Sequence, residues 1–296
     1  KEAQVLAANN RWIEAANIAY PLSRSAERPF ERAMASQFVA QMLINMGRLR
    51  QAEDAIDYTR RIINDSSEQE LTIDEKKLIL ADILMCQGSI AENRGSFASA
   101  TIYCGNALNI LDSIVDNREE ILKNARRLHL FAENFKARGH FGLAMRGVDR
   151  RENLDLARLG FESNLTAYRV YRDRGDPHPA DEALCHTWIA QCYIAQAQQD
   201  NRNSIFWQTS LAKASENITA SGKLFAEEKE KNPESLGIGH SHLLEGKLQT
   251  VMGQSVASRE HFLKAFHIFI GQPREFARAA LGIAGTYLDE GEYRKA

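Results

Sequence analysis

The sequence of 296 residues predicts an all-α fold built from repeated helix hairpins. A short phrase recurs along the chain: a glycine or polar residue, a bulky residue two positions later and an alanine three positions after that. Each phrase separates apolar runs that have the 3.6-residue spacing of a helix, and small residues recur seven positions before the phrase glycines. Glycine suits the turn of a hairpin, and alanine lets two helices pack closely. The phrase occurs as Asn10-Trp12-Ala15, Gly47-Leu49-Ala52, Gly95-Phe97-Ala100, Gly139-Phe141-Ala144 and Gly291-Tyr293-Ala296.

The first half of the chain is predicted to contain four such turns. Pro29 suits the first turn of a helix, and Thr72 with Glu75 forms a capping box. The phrase at Gly139 predicts a turn between two helices. The predicted helices cover 2–8, 12–25, 29–46, 49–63, 73–93, 97–112, 118–137 and 141–148, with a turn at Asn9-Asn10.

The segment 149–179 is predicted to be irregular, because glycines interrupt a charged sequence that otherwise has helical spacing. One helix over 141–174 would be about 50 Å long, so we expect a break near Gly147 or Gly160. A degraded turn phrase is expected at Gln198–Asn203. The remaining predicted helices cover 180–198, 204–230, 235–252, 256–270 and 273–290.

These motifs resemble the tetratricopeptide repeat superfamily, whose unit is a helix hairpin of about 34 residues. Asn232-Pro233 matches the proline that closes such a repeat. The longer spacing here is similar to that of kinesin light chain, of Rap-type regulators and of maltose-activator-type sensor domains. The resemblance implies a right-handed superhelical solenoid of six to seven repeats. We expect one continuous domain over 1–296 that is a piece of a longer protein, since the chain ends directly after a turn phrase.

Composition and motifs favour a non-catalytic protein. The net charge is −2, and no apolar run is long enough to span a bilayer. We find no phosphate-binding loop, no H-E-x-x-H motif and no paired C-x-x-C motif. His240 and His242 are two apart and point to different helix faces, so they are not expected to share a metal ion. We therefore expect no enzyme activity, no cofactor and no metal, a cytoplasmic location and no association with membranes.

The four cysteines lie in apolar helical runs, which favours packed thiols over a metal site. They are Cys86, Cys104, Cys185 and Cys192. Unpaired thiols weakly favour a reducing compartment.

The resemblance implies a binding groove lined by the first helix of each hairpin. Amide side chains in it can hold an extended backbone, because they both donate and accept hydrogen bonds. Residues 117–175 hold 13 Lys and Arg against 8 Asp and Glu, so an acidic partner segment is one option and a solvated helix face is the other. The predicted groove residues are Gln41, Asn45, Asn93, Arg126, His129, Lys136 and Gln191.

The groove lacks the carboxylate clamp of chaperone-binding family members. The clamp places Lys, Asn and Arg at the fifth and ninth repeat positions, and those positions here hold Gln37, Gln41, Met85, Ser89, His129 and Glu133. The aromatic residues of the basic region fall at core positions, so direct nucleic-acid binding is not expected.

Two classes of function follow from this pattern. The first is a scaffold that binds a protein or peptide segment in the groove. The alternative is a regulatory domain that senses a small ligand or a peptide for a signalling or transcription regulator. Self-association through terminal hairpins is a third option.

Overall fold

A computed structural model describes residues 2–8, 11–202, 204–231, 235–292 and 295. The described residues form thirteen α-helices and no strand, so the fold is all-α as predicted. Each helix packs mainly against its neighbours in the chain. The helices fall into two compact units, Lys1–Val148 and Asp149–Ala296. The expectation of a single continuous domain stays a prediction.

The first unit contains seven helices among its described residues, and most of their ends agree with the sequence prediction. They are α1 (Glu2–Ala8), α2 (Trp12–Ser25), α3 (Pro29–Asn45), α4 (Leu49–Asp65), α5 (Ile73–Asn93), α6 (Phe97–Asp112) and α7 (Glu119–Met145). The turns after α3 and α5 contain Gly47 and Gly95 at positive φ, as the phrase predicts. The predicted capping box at Thr72 and Glu75 is present.

The predicted turn at Gly139 is wrong, because α7 continues through it to Met145. Both glycines of this segment pack against α6. A methyl group at Gly139 would lie 2.7 Å from Cγ2 of Thr101, and one at Gly142 would overlap the ring of Phe97. Glycine here allows two helices to approach closely, and α7 ends shortly before Gly147, where φ is 81°.

In the first unit, alternate helices run parallel. Arg28 at the start of α3 lies 3.3 Å from Glu75 at the start of α5, and Gln41 meets Cys86 further along both helices. Helices α5 and α7 are parallel for the same reason: Glu75 contacts Arg118 near their starts, and Glu92 contacts Arg138 further along both helices. The intervening helices α4 and α6 complete the hairpins. The unit therefore has the alternating packing of a helical repeat, with a core that includes Leu71, Leu78, Ile79 and Ile83.

The second unit contains six helices among its described residues. They are α8 (Arg150–Asp173), α9 (Pro179–Ala197), α10 (Ile205–Lys231), α11 (Gly237–Met252), α12 (Ser255–Ile268) and α13 (Pro273–Asp289). Most of the segment expected to be irregular is the regular helix α8, which passes through Gly160. Of the two predicted break points, Gly147 is confirmed. Helix α9 ends before the expected turn at Gln198. Asn9, Asn10, Asn203, Asn232, Pro233, Tyr293 and Ala296 lie outside the described residues.

Helix α9 is held between α8 and α10. Arg172 on α8 forms a 2.9 Å ion pair with the buried Glu182, and the rings of Phe161 and Trp188 stack at 5.5 Å. On the other side, His186 contacts Asn217 on α10 at 2.7 Å. Further along the chain, the ring of Phe262 on α12 fills the space left by Gly246 and Gly282 on α11 and α13.

Candidate binding face

Six of the seven predicted groove residues lie on the three parallel helices of the first unit. The two amides of α3 bond to each other, since Gln41 Nε2 donates to Asn45 Oδ1 at 3.1 Å. On α5, Asn93 donates its amide to the carbonyl of Ser89 at 2.9 Å. Asn45 and Asn93 are exposed and Gln41 is half-buried. Part of their hydrogen-bonding capacity is therefore used within the protein, and Asn45 is bonded here through its oxygen alone.

The three basic residues lie on one side of α7, at spacings of three and seven residues. Arg126 is exposed, whereas His129 and Lys136 are half-buried. His129 Nε2 lies 3.4 Å from the carboxylate of Asp112 at the end of α6. Arg126 is therefore the most exposed cation of the predicted set, and His129 already has an acidic neighbour.

Gln191 lies on α9 in the second unit and is half-buried. Its membership in a common groove with the other six residues stays a prediction.

Three positions of the family pattern do not face an open groove. Gln37, Met85 and Ser89 are 1%, 4% and 3% exposed. They are buried because α3 and α5 pack directly against each other, with Gln41 against Cys86 in the contact. The repeat pattern implies that these three residues line the groove. In the structure they are part of the interior instead.

Asp82 on α5 is the most perturbed carboxyl group of this face. Desolvation raises its pKa from 3.8 to about 6, and the positive charge of Arg127 on α7 partly offsets that rise. The side chain is only half-buried, so solvent still reaches it. Within the described residues its carboxylate has no hydrogen bond or ion pair. Among the described residues Asp82 is thus a recessed carboxyl group that feels the charge of Arg127 but is neither hydrogen-bonded nor ion-paired, which leaves its oxygens open to a ligand.

Gln37 lies at the same level of the face as Asp82. Gln41 and Cys86 are in contact, and Gln37 and Asp82 each precede them by one helical turn on parallel helices. Neither Nε2 nor Oε1 of Gln37 has a hydrogen-bond partner among the described residues. We call Gln37, Gln41, Asp82 and Cys86 the α3–α5 polar site.

Sequence analysis missed this site as a unit. Asp82 and Gln37 are ordinary polar residues in helical runs, and no local motif distinguishes them. Strongly perturbed ionisable groups concentrate at functional sites. Asp82 stands out because it is desolvated and, among the described residues, makes no hydrogen bond or ion pair. Only the packing of the helices reveals this.

A second group of perturbed residues lies on α11 in the other unit. Desolvation lowers the pKa of His240; the carboxylate of Glu275 opposes this shift and the charge of Arg278 on α13 adds to it. The ring of His240 packs 5.0 Å from that of Phe269. His242 instead faces His261 on α12. As expected from their spacing, His240 and His242 have different neighbours.

The first unit also has a polar cavity of about 760 Å³ between α4, α5 and α6. Its floor includes Ile56 and Ile90, and its rim carries Arg50 and the ion pair between Arg94 and Glu53. Cavities of this volume are within the range that binds small molecules.

The cysteines are packed thiols, as predicted. All four are buried and free. Burial raises the pKa of Cys104, Cys185 and Cys192 to about 12, so these thiols are unreactive at neutral pH.

No protein-family model matches this sequence, and no curated protein matches it significantly. Membership of the tetratricopeptide repeat superfamily therefore stays a prediction. Among the described helices, none combines the length and the apolar composition needed to cross a bilayer.

Proposed function

We propose that this chain is a non-catalytic binding protein of the tetratricopeptide repeat type, whose ligand is a segment of another protein. Its hairpins would continue as a right-handed superhelical solenoid. The proposal is supported by the parallel arrangement of α3, α5 and α7 with antiparallel helices between them. Parallel alternate helices form a surface on which an extended peptide can lie across several repeats.

The observation that carries the proposal is the recessed carboxyl group of Asp82. A half-buried acid with a pKa of about 6 costs folding free energy at neutral pH. A partner that donates hydrogen bonds or supplies a cation to Asp82 would relieve that cost. The exposed amide of Asn45 and the cations Arg126 and Lys136 supply further polar contacts for the same segment.

The expected ligand is an extended peptide of mixed charge. Its basic or hydrogen-bond-donating side chain would meet Asp82, and its acidic side chains would meet Arg126 and Lys136 on α7. Charge complementarity of this kind sets the register of the peptide and speeds its association.

A displayed peptide library selected against the whole chain tests this function. The affinity of the selected peptides is then measured by fluorescence polarisation for the wild type, for two variants of this face and for one control variant. We expect Asp82→Asn to weaken binding about tenfold, and R126E/K136E to weaken it more, because both remove complementary charge. His129 is left unchanged, since a glutamate there would face Asp112 and could destabilise the fold.

The matched control is R60E/R61E. It changes the net charge by the same amount at two exposed positions of α4, which is not one of the three helices of this face. If this control loses as much binding as R126E/K136E does, the loss is explained by net charge and not by contacts at this face. Selected peptides that bind all variants equally would refute the proposed face.

A ligand-sensing regulatory domain is the second candidate, and the polar cavity between α4, α5 and α6 favours it. A small polar ligand would contact Arg50 there, in a lining that holds three arginines and three carboxylates. A thermal-shift screen of small polar compounds tests this function: stabilisation of the wild type that R50E abolishes would support it, and the absence of any stabilising compound would count against it.

A further inference from the structure

Two histidines from adjacent helices of the second unit face each other with their ring nitrogens. His242 lies on α11 and His261 on α12, and their Nδ1 atoms are 3.4 Å apart. The ring centroids are separated by 5.6 Å with an interplanar angle of 45°. Both side chains are half-buried, so solvent reaches the pair. The proposed peptide-binding function uses neither residue.

The separation of these nitrogens suits a shared metal ion. Zinc binds imidazole nitrogen at about 2.0–2.1 Å, and two ligands at a tetrahedral angle then lie about 3.3–3.4 Å apart. Imidazole binds such ions in its neutral form through either ring nitrogen. The two Nδ1 atoms are also within hydrogen-bond distance of each other, and they need little movement to act as ligands of one ion once both rings carry their proton on Nε2.

We propose that His242 and His261 form a two-histidine site for a divalent transition-metal ion, with zinc as the best fit. The ion would join α11 to α12. No group of three or more His, Cys, Asp or Glu side chains with metal-binding geometry occurs in the described part of the chain. Water molecules fill the remaining positions, which makes the site open and weaker than a structural zinc centre.

The surrounding charges set the expected affinity. Glu245 follows His242 on α11, and Glu260 precedes His261 on α12. The carboxylates of Glu245 and Glu260 favour a cation near the pair, whereas the charge of Lys264 acts on both imidazoles and opposes it. Selective binding of copper or zinc over magnesium follows from the nitrogen ligands.

Isothermal titration of the whole chain with zinc chloride tests the site. We expect one saturable site per chain, and a loss of at least about tenfold in affinity when either histidine becomes alanine. His267→Ala is the matched control, because it removes an exposed histidine from α12 without touching the pair. This control should bind zinc as the wild type does.

Ring-nitrogen NMR provides a readout that a structural role would not move. Zinc should shift the Nδ1 resonances of both His242 and His261 and leave that of His267 unchanged. Circular dichroism in EDTA establishes that the variants are folded, and His242→Gln replaces alanine if that variant is not. A wild type that binds no zinc, or a site that survives both substitutions, overturns the proposal.

Discussion

At the scale of single residues, the α3–α5 polar site combines two groups that burial destabilises. Within the part of the chain that the structure describes, Asp82 is desolvated without an ion pair and the Gln37 side chain is buried without hydrogen bonds. Natural proteins retain such groups where function requires them, because polar groups without partners usually cost stability. Substituting either residue should therefore raise the free energy of unfolding, although the site is proposed to be needed for binding.

Asp82→Asn should stabilise the protein at neutral pH. The pKa of Asp82 is raised from 3.8 to about 6, so ionisation costs the folded state more than the unfolded state. This penalty is absent below about pH 3, grows mainly between about pH 4 and pH 6 and is complete above about pH 7, where it is on the order of 3 kcal/mol. Urea denaturation at pH 4 and pH 7.5 should show a gain for the variant mainly at the higher pH.

The exposed Asp54 provides the control for this measurement. Asp54→Asn should change the free energy of unfolding little at either pH. A destabilising effect of Asp82→Asn at pH 7.5 would mean that the carboxylate has a compensating partner.

Gln37→Met should raise the free energy of unfolding by about 1 kcal/mol or more. Methionine has a similar shape, and it removes two buried polar atoms that lack hydrogen bonds. Equilibrium unfolding in urea measures the change, with the exposed Gln51→Met as the control. If Gln37→Met instead loses stability, ordered water or a rotated amide must satisfy Gln37.

These two residues also mark what the sequence could not predict. The family pattern places Gln37 in an open groove, and it is buried because α3 and α5 approach closely. The burial of Gln37 depends on the distance between two helices whose contacting residues are 45 positions apart in the chain. No local sequence pattern encodes that distance. The exposed positions Asn45 and Asn93, at the ends of their helices, were predictable from periodicity.

At the scale of helices, the turn phrase predicts most of the observed ends. It fails at Gly139, because glycine serves equally at a hairpin turn and at a close contact between helices. The large ring of Phe97 on α6 requires small residues on α7. The reason for glycine on α7 therefore lies on a different helix, and the local sequence does not show it. The break at Gly147 could be predicted because the helix would otherwise be unusually long.

Two glycine-to-alanine substitutions should have opposite effects on stability. Gly142→Ala places a methyl group in the ring of Phe97 and should destabilise by about 1–3 kcal/mol. Gly105→Ala on α6 meets no atom within 4 Å and should stabilise by about 0.5–1 kcal/mol through helix propensity.

Urea denaturation of both variants measures these changes, and each serves as the other's control. The same sign for both substitutions would contradict the close packing of α6 and α7.

At the scale of the molecule, the described helices form two compact units. Each unit has its own buried cluster, around Leu78 in the first and around Phe262 in the second. The sequence predicts an all-α repeat throughout. It does not predict the boundary after Val148, because no linker marks it and Gly147 looks like an ordinary break between helices.

The fragment 1–148 should fold without the rest of the chain. Its helices bury their own core, and a unit of this size is typical of an independent domain. Circular dichroism should show a helical spectrum and a cooperative thermal transition. A fragment without cooperative unfolding would show that this unit requires further residues, and the fragment 149–296 offers the parallel test.

The ionic cluster at the starts of α3, α5 and α7 has a consequence for the whole binding face. The three helices of this face have aligned macrodipoles, so along their own surface partial positive charge lies at one end and partial negative charge at the other, while α4 and α6 behind them run the opposite way. At the positive end Glu75 pairs with Arg28 and Arg118, and Asp74 pairs with Lys77. The opposite end, near Asn45 and Asn93, carries the carbonyl dipoles. The face therefore has an electrostatic direction, and a charged peptide should bind it in one orientation.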